Sequence, residues 1–367
     1  MRPHQYFVCI GFAAALVACA TAQQTTPRVA LLALSKSDHT LAIVDPASLH
    51  IVARVPVGED PHEVIASTDG KTAYVSNYGF GAYHTIAVID LLAQKPLAPI
   101  DLGALRGPHG LDFVDGKLWF TAEAAKAIGS YDPATGTIDR IIGIGQNRTH
   151  MVYVFPGTKR ILTTNVNAGT VTVLDKTEGA AGVPPGPPPG MPPGPPPGMP
   201  APPQGQPPMR RMPGPPGGDW NETVIPVGSR DEGFDVSPNG KEAWIANSGD
   251  GTISVIDLAQ MQVVATIQSN TGSANRLKFT PDGKRVLVSL LGSPDLVVLD
   301  ASTRQVITRV PIGHGAAGIL MQPDGTRAFV ACSPDNYIVL FDLKTLAVTG
   351  HLDVGGNPDG LAWAIQH

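Results

Sequence analysis

The sequence has few cysteines and few charged residues, and both shortages exclude classes of protein. Only three cysteines occur among 367 residues (Cys9, Cys19 and Cys332), and none belongs to a CxxC or CxxCH motif. Zinc-ribbon, dithiol redox and covalent haem sites are therefore excluded. Charged residues make up 16% of the chain, and the formal net charge is -5. Because phosphate contact needs clustered Lys and Arg, we expect no nucleic-acid partner.

The first 22 residues have the pattern of an export signal. Residues 6–18 form an apolar run that is short for a membrane span. Leu16–Cys19 resembles a bacterial lipobox, in which Cys19 is lipidated, whereas residues 20–22 resemble an ordinary cleavage site. An uncleaved anchor is the third alternative. All three place the protein outside the cytoplasm, in the periplasm or on the outer membrane or cell surface, with a lipid anchor as the expected membrane attachment.

The most regular feature is a unit that occurs seven times between residues 28 and 367, at a period of 42 to 46 residues where no insert intervenes. Each unit contains four runs of about five to eight residues that are rich in β-branched and aromatic side chains, and Asp-Gly, Asn-Gly or Ser-Pro turns separate the runs. Four short antiparallel strands at this period are typical of a propeller blade. The sequence therefore predicts an all-β, seven-bladed β-propeller.

The phase of the repeat predicts how the ring closes. Each unit supplies strands b, c and d of one blade and then the innermost strand, a, of the next blade. Residues 359–366 are thus an innermost strand, and residues 29–34 begin a blade that lacks one. We predict that these segments pair, because closure removes open sheet edges. An aspartate also ends each strand c, where we expect it to accept backbone hydrogen bonds from the next turn (Asp45, Asp90, Asp132, Asp175, Asp257, Asp300 and Asp342).

The repeat also resembles a known family. AYVSN at residues 73–77 and TIAVID at residues 85–90 resemble the YVTN-type β-propeller repeat. That family is similar in fold to the lactonase-type propellers and to the propeller domains of nitrite and nitrous oxide reductases. The resemblance covers residues 28–367 apart from the insert. It implies the architecture and leaves the reaction open, since propellers host many unrelated functions.

A proline- and glycine-rich insert at residues 179–219 interrupts the fourth unit. Of the 36 prolines in the chain, 18 lie between Pro184 and Pro216. This composition predicts a disordered segment with extended polyproline II character. The insert falls between strands c and d of blade four, on the face opposite His62. It is either a tolerated loop expansion or an arm that docks a partner.

One position of the repeat carries chemically useful side chains. Alignment of the seven units places this position at the start of every innermost strand, and therefore at one mouth of the central channel. We call these residues the ring residues (His62, His109, His150, Glu232, Asn275, Ala317 and Asp359). All except Ala317 can hydrogen-bond a ligand or coordinate a metal ion, so we predict that they bind a ligand.

The loops on the same face add further candidates. The loop from Asn77 to His84 is longer than its counterparts and carries three aromatic residues, which would form a wall or lid over the mouth. We include Asn77 and His84 among the candidate ligand-binding residues. Glu123 takes the place of Asn77 in the third unit, where we expect mainly a turn-forming role.

Neutral imidazoles beside a carboxylate suit a divalent transition metal. We therefore consider His62, His109 and His150 as candidate metal ligands. Two alternatives stay open: the histidines hydrogen-bond backbone groups and water, or they bind a metal-free polar or anionic ligand.

Three functions are compatible with these features. The leading prediction is an exported cell-envelope propeller, expected to be a monomer, that binds a small ligand, a metal ion or an envelope protein through the mouth. The second is a metal-dependent hydrolase of lactones or related esters, with Glu232 as general base or fourth ligand. The third is a scaffold without chemistry that docks through the proline-rich insert.

Overall fold

The computed structural model describes residues 25–177, 220–268 and 273–367. Within these ranges the chain forms 29 strands and one short 3-10 turn, Gly79–Gly81. The strands are arranged in seven antiparallel sheets, each of them a blade. The predicted seven-bladed β-propeller is therefore confirmed.

Three strands begin blade one, and blades two to four follow in chain order. Blade one starts with β1 (Val29–Ser35), β2 (Thr40–Asp45) and β3 (His50–Pro56). Blade two contains β4 (Pro61–Ala66), β5 (Thr72–Asn77), β6 (Thr85–Asp90), β7 (Lys95–Pro96) and β8 (Ile100–Asp101). Blade three contains β9 (Pro108–Val114), β10 (Lys117–Ala122), β11 (Ala127–Asp132) and β12 (Thr137–Gly143). Blade four contains β13 (Thr149–Val154), β14 (Arg160–Asn165), β15 (Thr170–Lys176) and β16 (Trp220–Pro226).

The remaining three blades repeat the same order, and the last strand returns to blade one. Blade five contains β17 (Asp231–Val236), β18 (Glu242–Asn247), β19 (Thr252–Asp257) and β20 (Gln262–Gln268). Blade six contains β21 (Ala274–Phe279), β22 (Arg285–Leu290), β23 (Asp295–Asp300) and β24 (Val306–Pro311). Blade seven contains β25 (Ala316–Met321), β26 (Arg327–Cys332), β27 (Tyr337–Asp342) and β28 (Ala347–Leu352). The final strand is β29 (Pro358–Ile365).

The ring closes as the phase of the repeat predicts. Strand β29 pairs antiparallel with β1, with Val29 opposite Ile365 and Ala33 opposite Leu361. Blade one is therefore built from both ends of the propeller sequence, in the order β29-β1-β2-β3. This pairing places Asp359 beside His62 on the next innermost strand and so completes the ring of residues at the mouth.

The core lies between the blades. Strands b and c are buried along almost their whole length, as in β5 and β18, because neighbouring blades cover both faces of the sheet. This explains why they read as continuous apolar runs. The outermost strands alternate between exposed and partly buried residues, as in β20. In blade two the outermost strand is split into β7 and β8, where two prolines interrupt its hydrogen bonds.

The aspartates at the ends of strand c have the predicted structural role in six blades. Each accepts a hydrogen bond of 2.8 to 3.0 Å from the backbone N–H two residues ahead (Asp45, Asp90, Asp132, Asp257, Asp300 and Asp342). Asp175 differs because it accepts a 2.6 Å hydrogen bond from Nε of Arg160.

Two sequence predictions fall outside the described residues: the export signal at residues 1–22, with its Cys19 lipidation, and the character of the insert at residues 179–219. The attachment points of the insert are nevertheless described. Lys176 pairs with Trp220, at the opposite end of blade four from the pair Thr149 and Asn165 near the mouth. In the described part of the chain, no helix is both long and apolar enough to cross a membrane.

Candidate functional site

The seven ring residues line one cavity of about 390 Å³ at the mouth where strand a begins. Six different blades contribute its charged and imidazole side chains, so the cavity exists only in the assembled ring. Three cations that were not anticipated from the sequence also line it (Lys36, Arg148 and Arg276). The wall is therefore polar and highly charged, with apolar contributions from residues such as Leu291, Ala317 and Pro334.

Glycines next to the ring residues explain how the innermost strands approach one another. Gly110 directly follows His109, and a methyl group on it would lie 2.6 Å from the carbonyl oxygen of His150. No side chain can occupy that space, so blades three and four come together backbone to backbone. The same arrangement recurs where the ring residue of one blade is followed by glycine and the next blade abuts it (Gly233, Gly318 and Gly360).

This close approach places the three histidine rings in a row. The ring centroids of His62 and His109 are 4.5 Å apart, and those of His109 and His150 are 3.7 Å apart. Tyr78 covers the row on one side, with its ring edge-on to His109 at 4.9 Å. The predicted aromatic wall thus has one buried member, Tyr78, while Phe80 is 84% exposed.

His109 is the most isolated of the three. Its side chain is fully buried, and neither ring nitrogen has a hydrogen-bond partner among the described residues. Burial, followed by the neighbouring charges of His150 and His62, lowers the pKa of His109 well below its usual value. The ring is therefore neutral, and it presents an unused lone pair next to the cavity.

His150 lies between two carboxylates. Its Nδ1 is hydrogen-bonded to Oε1 of Glu123, and its Nε2 lies 3.1 Å from Oε2 of Glu232, away from the hydrogen-bonding direction. Burial opposes the charged form of His150, but the two glutamates outweigh it and raise the pKa. Burial likewise opposes ionisation of Glu232, yet His150, Arg148 and Arg276 lower its pKa to about 2.

Glu123 is held by several partners at once. Its Oε2 accepts a 2.5 Å hydrogen bond from the Tyr78 hydroxyl, and Nε of Arg148 lies 3.3 Å from its Oε1. Burial raises the pKa of this carboxyl, but His150, Tyr78 and Arg148 together lower it further, so Glu123 is ionised. The carboxylate is oriented by its neighbours and points towards the two imidazoles.

Three of these residues form a group with the geometry of a metal site. One donor atom each from His109, Glu123 and His150 lies within 4.8 Å of the other two, and all three residues are buried. The sequence had suggested His62 with His109 and His150. The structure places the imidazole of His62 in the same row but outside this compact group, and Glu123 takes its place.

His62 is engaged by other partners. Nζ of Lys36 lies 2.7 Å from Nδ1 of His62, and Nε2 of His62 lies 3.7 Å from a carboxylate oxygen of Asp359. Lys36 also contacts Asp60 at 3.1 Å and Asp359 at 3.4 Å. Both ring nitrogens of His62 therefore face protein groups.

Asn275 and Arg276 form the wall contributed by blade six. Nη2 of Arg276 reaches across the channel to Oε1 of Glu63 in blade two, at 2.8 Å. Nη1 of Arg276 is buried and has no hydrogen-bond partner within the described ranges. Asn275, which directly precedes Arg276 in the sequence, is also buried and lines the cavity.

Two candidates from the sequence do not line this cavity. His84 is paired with Asp101 at 2.9 Å and lines a separate pocket of about 240 Å³ on the blade-two loop. Asn77 is buried beside that pocket, and its amide donates hydrogen bonds to the carbonyl oxygens of Val57 and Glu59. Asn77 therefore holds the loop before strand a in place, and both residues lie apart from the ring residues.

The residues that sequence reasoning missed all lie close in sequence to ring or turn positions. Arg276 follows Asn275 directly, Arg148 precedes His150 by two residues, and Lys36 lies in the first b–c loop. Glu123 was interpreted mainly as a turn former because asparagine holds the equivalent position in other units. The presence of glutamate at this position, where other units have asparagine, was the signal in the sequence that pointed to a functional residue.

Comparison with known proteins supports a seven-bladed propeller. Residues 234–331 match the Cytochrome D1 heme domain family, which is about a quarter of the chain. No curated protein sequence matches significantly.

Among solved structures, a candidate 6-phosphogluconolactonase from Bacteroides uniformis is similar, with TM-score 0.66 and 14% identity over 91% of this chain and 99% of that one. Hydrazine synthase from Kuenenia stuttgartiensis gives TM-score 0.61 and 14% identity over 81% of this chain and 87% of that one. Dihydro-heme d1 dehydrogenase NirN in complex with DHE gives 0.59 and 15% identity over 89% of this chain and 63% of that one. At such identities the likeness is one of fold.

Proposed function

We propose that this protein is an exported propeller that binds a divalent transition-metal ion through His109, Glu123 and His150, and that the metal forms part of a binding site for a small ligand. The observation that carries the proposal is the position of three donor atoms within 4.8 Å of one another. Two imidazoles and one carboxylate are an established protein donor set for zinc, and imidazole also suits copper, iron and nickel.

The surroundings of His109 and Glu123 support the same proposal, while His150, whose pKa is raised against burial by Glu123 and Glu232, must give up its proton to bind the ion. His109 is neutral and its ring nitrogens have no protein partner in the described residues, which is the state that a metal ligand needs. Tyr78 and Arg148 hold the Glu123 carboxylate from behind, as outer partners do around metal ligands. A bound metal would supply a Lewis acid to the cavity.

Glu232 lies beside this group but outside its three donors, against Nε2 of His150. Its carboxylate is ionised, since its pKa is lowered to about 2, and it is 3.1 Å from His150. A lactone hydrolase would require a free general base, whereas the carboxylate of Glu232 is paired with both His150 and Arg148. We therefore propose a binding function.

The family match raises the question of haem, which the cavity does not fit. The matched residues 234–331 include no histidine that lines the cavity, because His62, His109 and His150 all lie outside them. A macrocycle needs broad apolar surfaces, whereas the imidazole rings are tilted against one another and the wall carries five charged side chains (Lys36, Arg148, Glu232, Arg276 and Asp359). The donor set suits a metal ion alone.

Export of the protein and its membership of the YVTN-type repeat family are part of the same proposal. The N-terminal pattern supports a periplasmic or lipid-anchored protein, and the AYVSN and TIAVID segments support a YVTN-type repeat. Docking through the proline-rich insert would add a partner on the opposite face without involving the metal.

The test is metal analysis of the purified protein after loading with Zn²⁺ or Co²⁺. We expect about one ion per chain in the wild type and a ligand-field spectrum with Co²⁺ that reports nitrogen and oxygen donors. The His109→Ala variant should lose the ion. His84→Ala is the matched control, since this histidine is exposed and outside the cavity. Equal metal content in both variants, or none in the wild type, would refute the proposal.

A further inference from the structure

Arg276 lines the cavity with a guanidinium that has one unused donor. Its Nη2 is fixed by Glu63 at 2.8 Å, and the side chain is only 12% exposed. Nη1 is buried and makes no hydrogen bond to any residue that the structure describes. A guanidinium with one arm anchored and the other unsatisfied is poised for an acceptor, because an unpaired buried donor is costly.

Asn275 supplies a second donor at the same wall. It is buried, it lines the cavity, and no hydrogen bond of its side chain occurs among the described residues. Asn275 and Arg276 are consecutive residues that both line the cavity, and an amide N–H and a guanidinium N–H are both donors that a carboxylate oxygen accepts.

The other charged groups of the wall are already compensated. Asp359 has Lys36 at 3.4 Å, and Glu232 has Arg148 at 3.7 Å as well as His150. Among the described residues of the wall, Arg276 is therefore the cation with a buried N–H donor that has no partner. Its pairing with Glu63 leaves no net positive charge there, so an anion needs a further positive group nearby.

We infer that the small ligand of this cavity is a carboxylic acid, of which one carboxylate oxygen accepts hydrogen bonds from Arg276 Nη1 and the Asn275 amide and the other oxygen reaches the metal ion. The inference rests on the proposed metal site. The metal supplies the positive charge that Arg276, already neutralised by Glu63, does not supply. Carboxylate binding therefore depends on metal loading.

The experiment measures glycolate binding by calorimetry, with Zn²⁺-loaded and metal-free protein. We expect saturable one-to-one binding to the loaded protein and none to the metal-free protein. Glycolamide, which has the same shape without the charge, should bind at least about tenfold more weakly, as expected for loss of a charge-assisted hydrogen bond.

Two variants test the blade-six wall. Arg276→Lys keeps the charge that pairs with Glu63 but removes the fork, and Asn275→Asp keeps the volume but replaces a donor with an acceptor. Both should retain one Zn²⁺ per chain and bind glycolate about 10- to 100-fold more weakly than the wild type.

The outcomes separate the two proposals. If the wild type takes up no metal, the proposed metal site fails. If metal binds but glycolate does not, or if glycolate binds both variants as tightly as the wild type, the carboxylate site is overturned and the metal site stands. Inorganic phosphate that binds more tightly than glycolate would also overturn the assignment to a carboxylate.

Discussion

Nζ of Lys36 lies 2.7 Å from Nδ1 of His62, and this contact sets His62 apart from the two histidines behind it. A lysine can only donate, so the nitrogen of His62 that it contacts is the acceptor and is already used. The other nitrogen faces Asp359 at 3.7 Å. His62 therefore belongs to the charged rim of the cavity, while His109 and His150 form its inner wall.

This division predicts that His62 is dispensable for metal binding. The His62→Ala variant should keep the metal content of the wild type, since His109, Glu123 and His150 remain in place. Elemental analysis after dialysis against metal-free buffer measures this content. A loss as large as that of His109→Ala would show that the three histidines act together, as the sequence alone had suggested.

The contact between blades three and four predicts a steric effect at Gly110. Gly110→Ala should destabilise the protein by about 1–3 kcal/mol, because the added methyl group meets backbone atoms of the next strand that cannot move away cheaply. The strands carrying His109 and His150 should separate, so metal affinity should fall as well. Urea unfolding and metal titration measure the two effects.

Gly143→Ala is the matched control for this experiment. Gly143 also lies in blade three, in an outer strand, and a methyl group there meets nothing within 4 Å. Its replacement should leave both stability and metal affinity nearly unchanged. Similar losses in the two variants would mean that glycine content, and not the inter-blade contact, is responsible.

Asp112 predicts a dependence of stability on pH that is independent of the cavity. Its carboxylate accepts a 2.7 Å hydrogen bond from the N–H of Val154 in blade four, yet burial raises its pKa to about 6. The folded state holds the proton more tightly than the unfolded state, whose pKa is near 3.8. The stability contributed by this proton is thus complete below about pH 4 and is lost as pH rises through about 6.

Asp112→Asn should remove this loss. The variant should be more stable than the wild type at pH 7.5, by at most about 3 kcal/mol for a shift of about two pKa units. At pH 4 the two proteins should differ little, since the wild-type carboxyl is then protonated. Chemical unfolding at both pH values measures the difference, and an equal change at both would contradict the assignment.

The proline-rich insert should be removable without loss of the fold. Lys176 and Trp220 are paired neighbours, so deletion of residues 181–218 leaves residues 177–180 and 219 to join two adjacent strands. Hairpin loops of about this length are common. The melting transition should stay cooperative and at a similar temperature. A broad or early transition would mean that the insert packs against the propeller.

The repeat made most of the fold predictable. The same strand pattern recurs seven times, so an error in one unit is corrected by the others, and the phase fixes which strands close the ring. The ring residues were found for the same reason, since they differ at a position whose place in the blade is constant. Their common location at one cavity follows from symmetry alone.

The chemistry inside the ring was less accessible, because it depends on contacts between blades. Tyr78 reaches Glu123, and Glu123 reaches His150, across blade boundaries, and no spacing within one unit reveals this. Arg276 and Glu63 meet from blades six and two, 213 positions apart in the chain. The close approach of adjacent innermost strands at glycines such as Gly110 is likewise a contact between blades, which no single unit reveals.

The pairing of β29 with β1 has a consequence for the order of events during synthesis. The strand that completes blade one is synthesised after the other described strands of the propeller, and it also brings Asp359 to Lys36 and His62. A chain that ends prematurely, before residue 358, would lack both the closing strand and one wall of the cavity. Closure of the ring and completion of the cavity wall therefore arrive in the same step of synthesis.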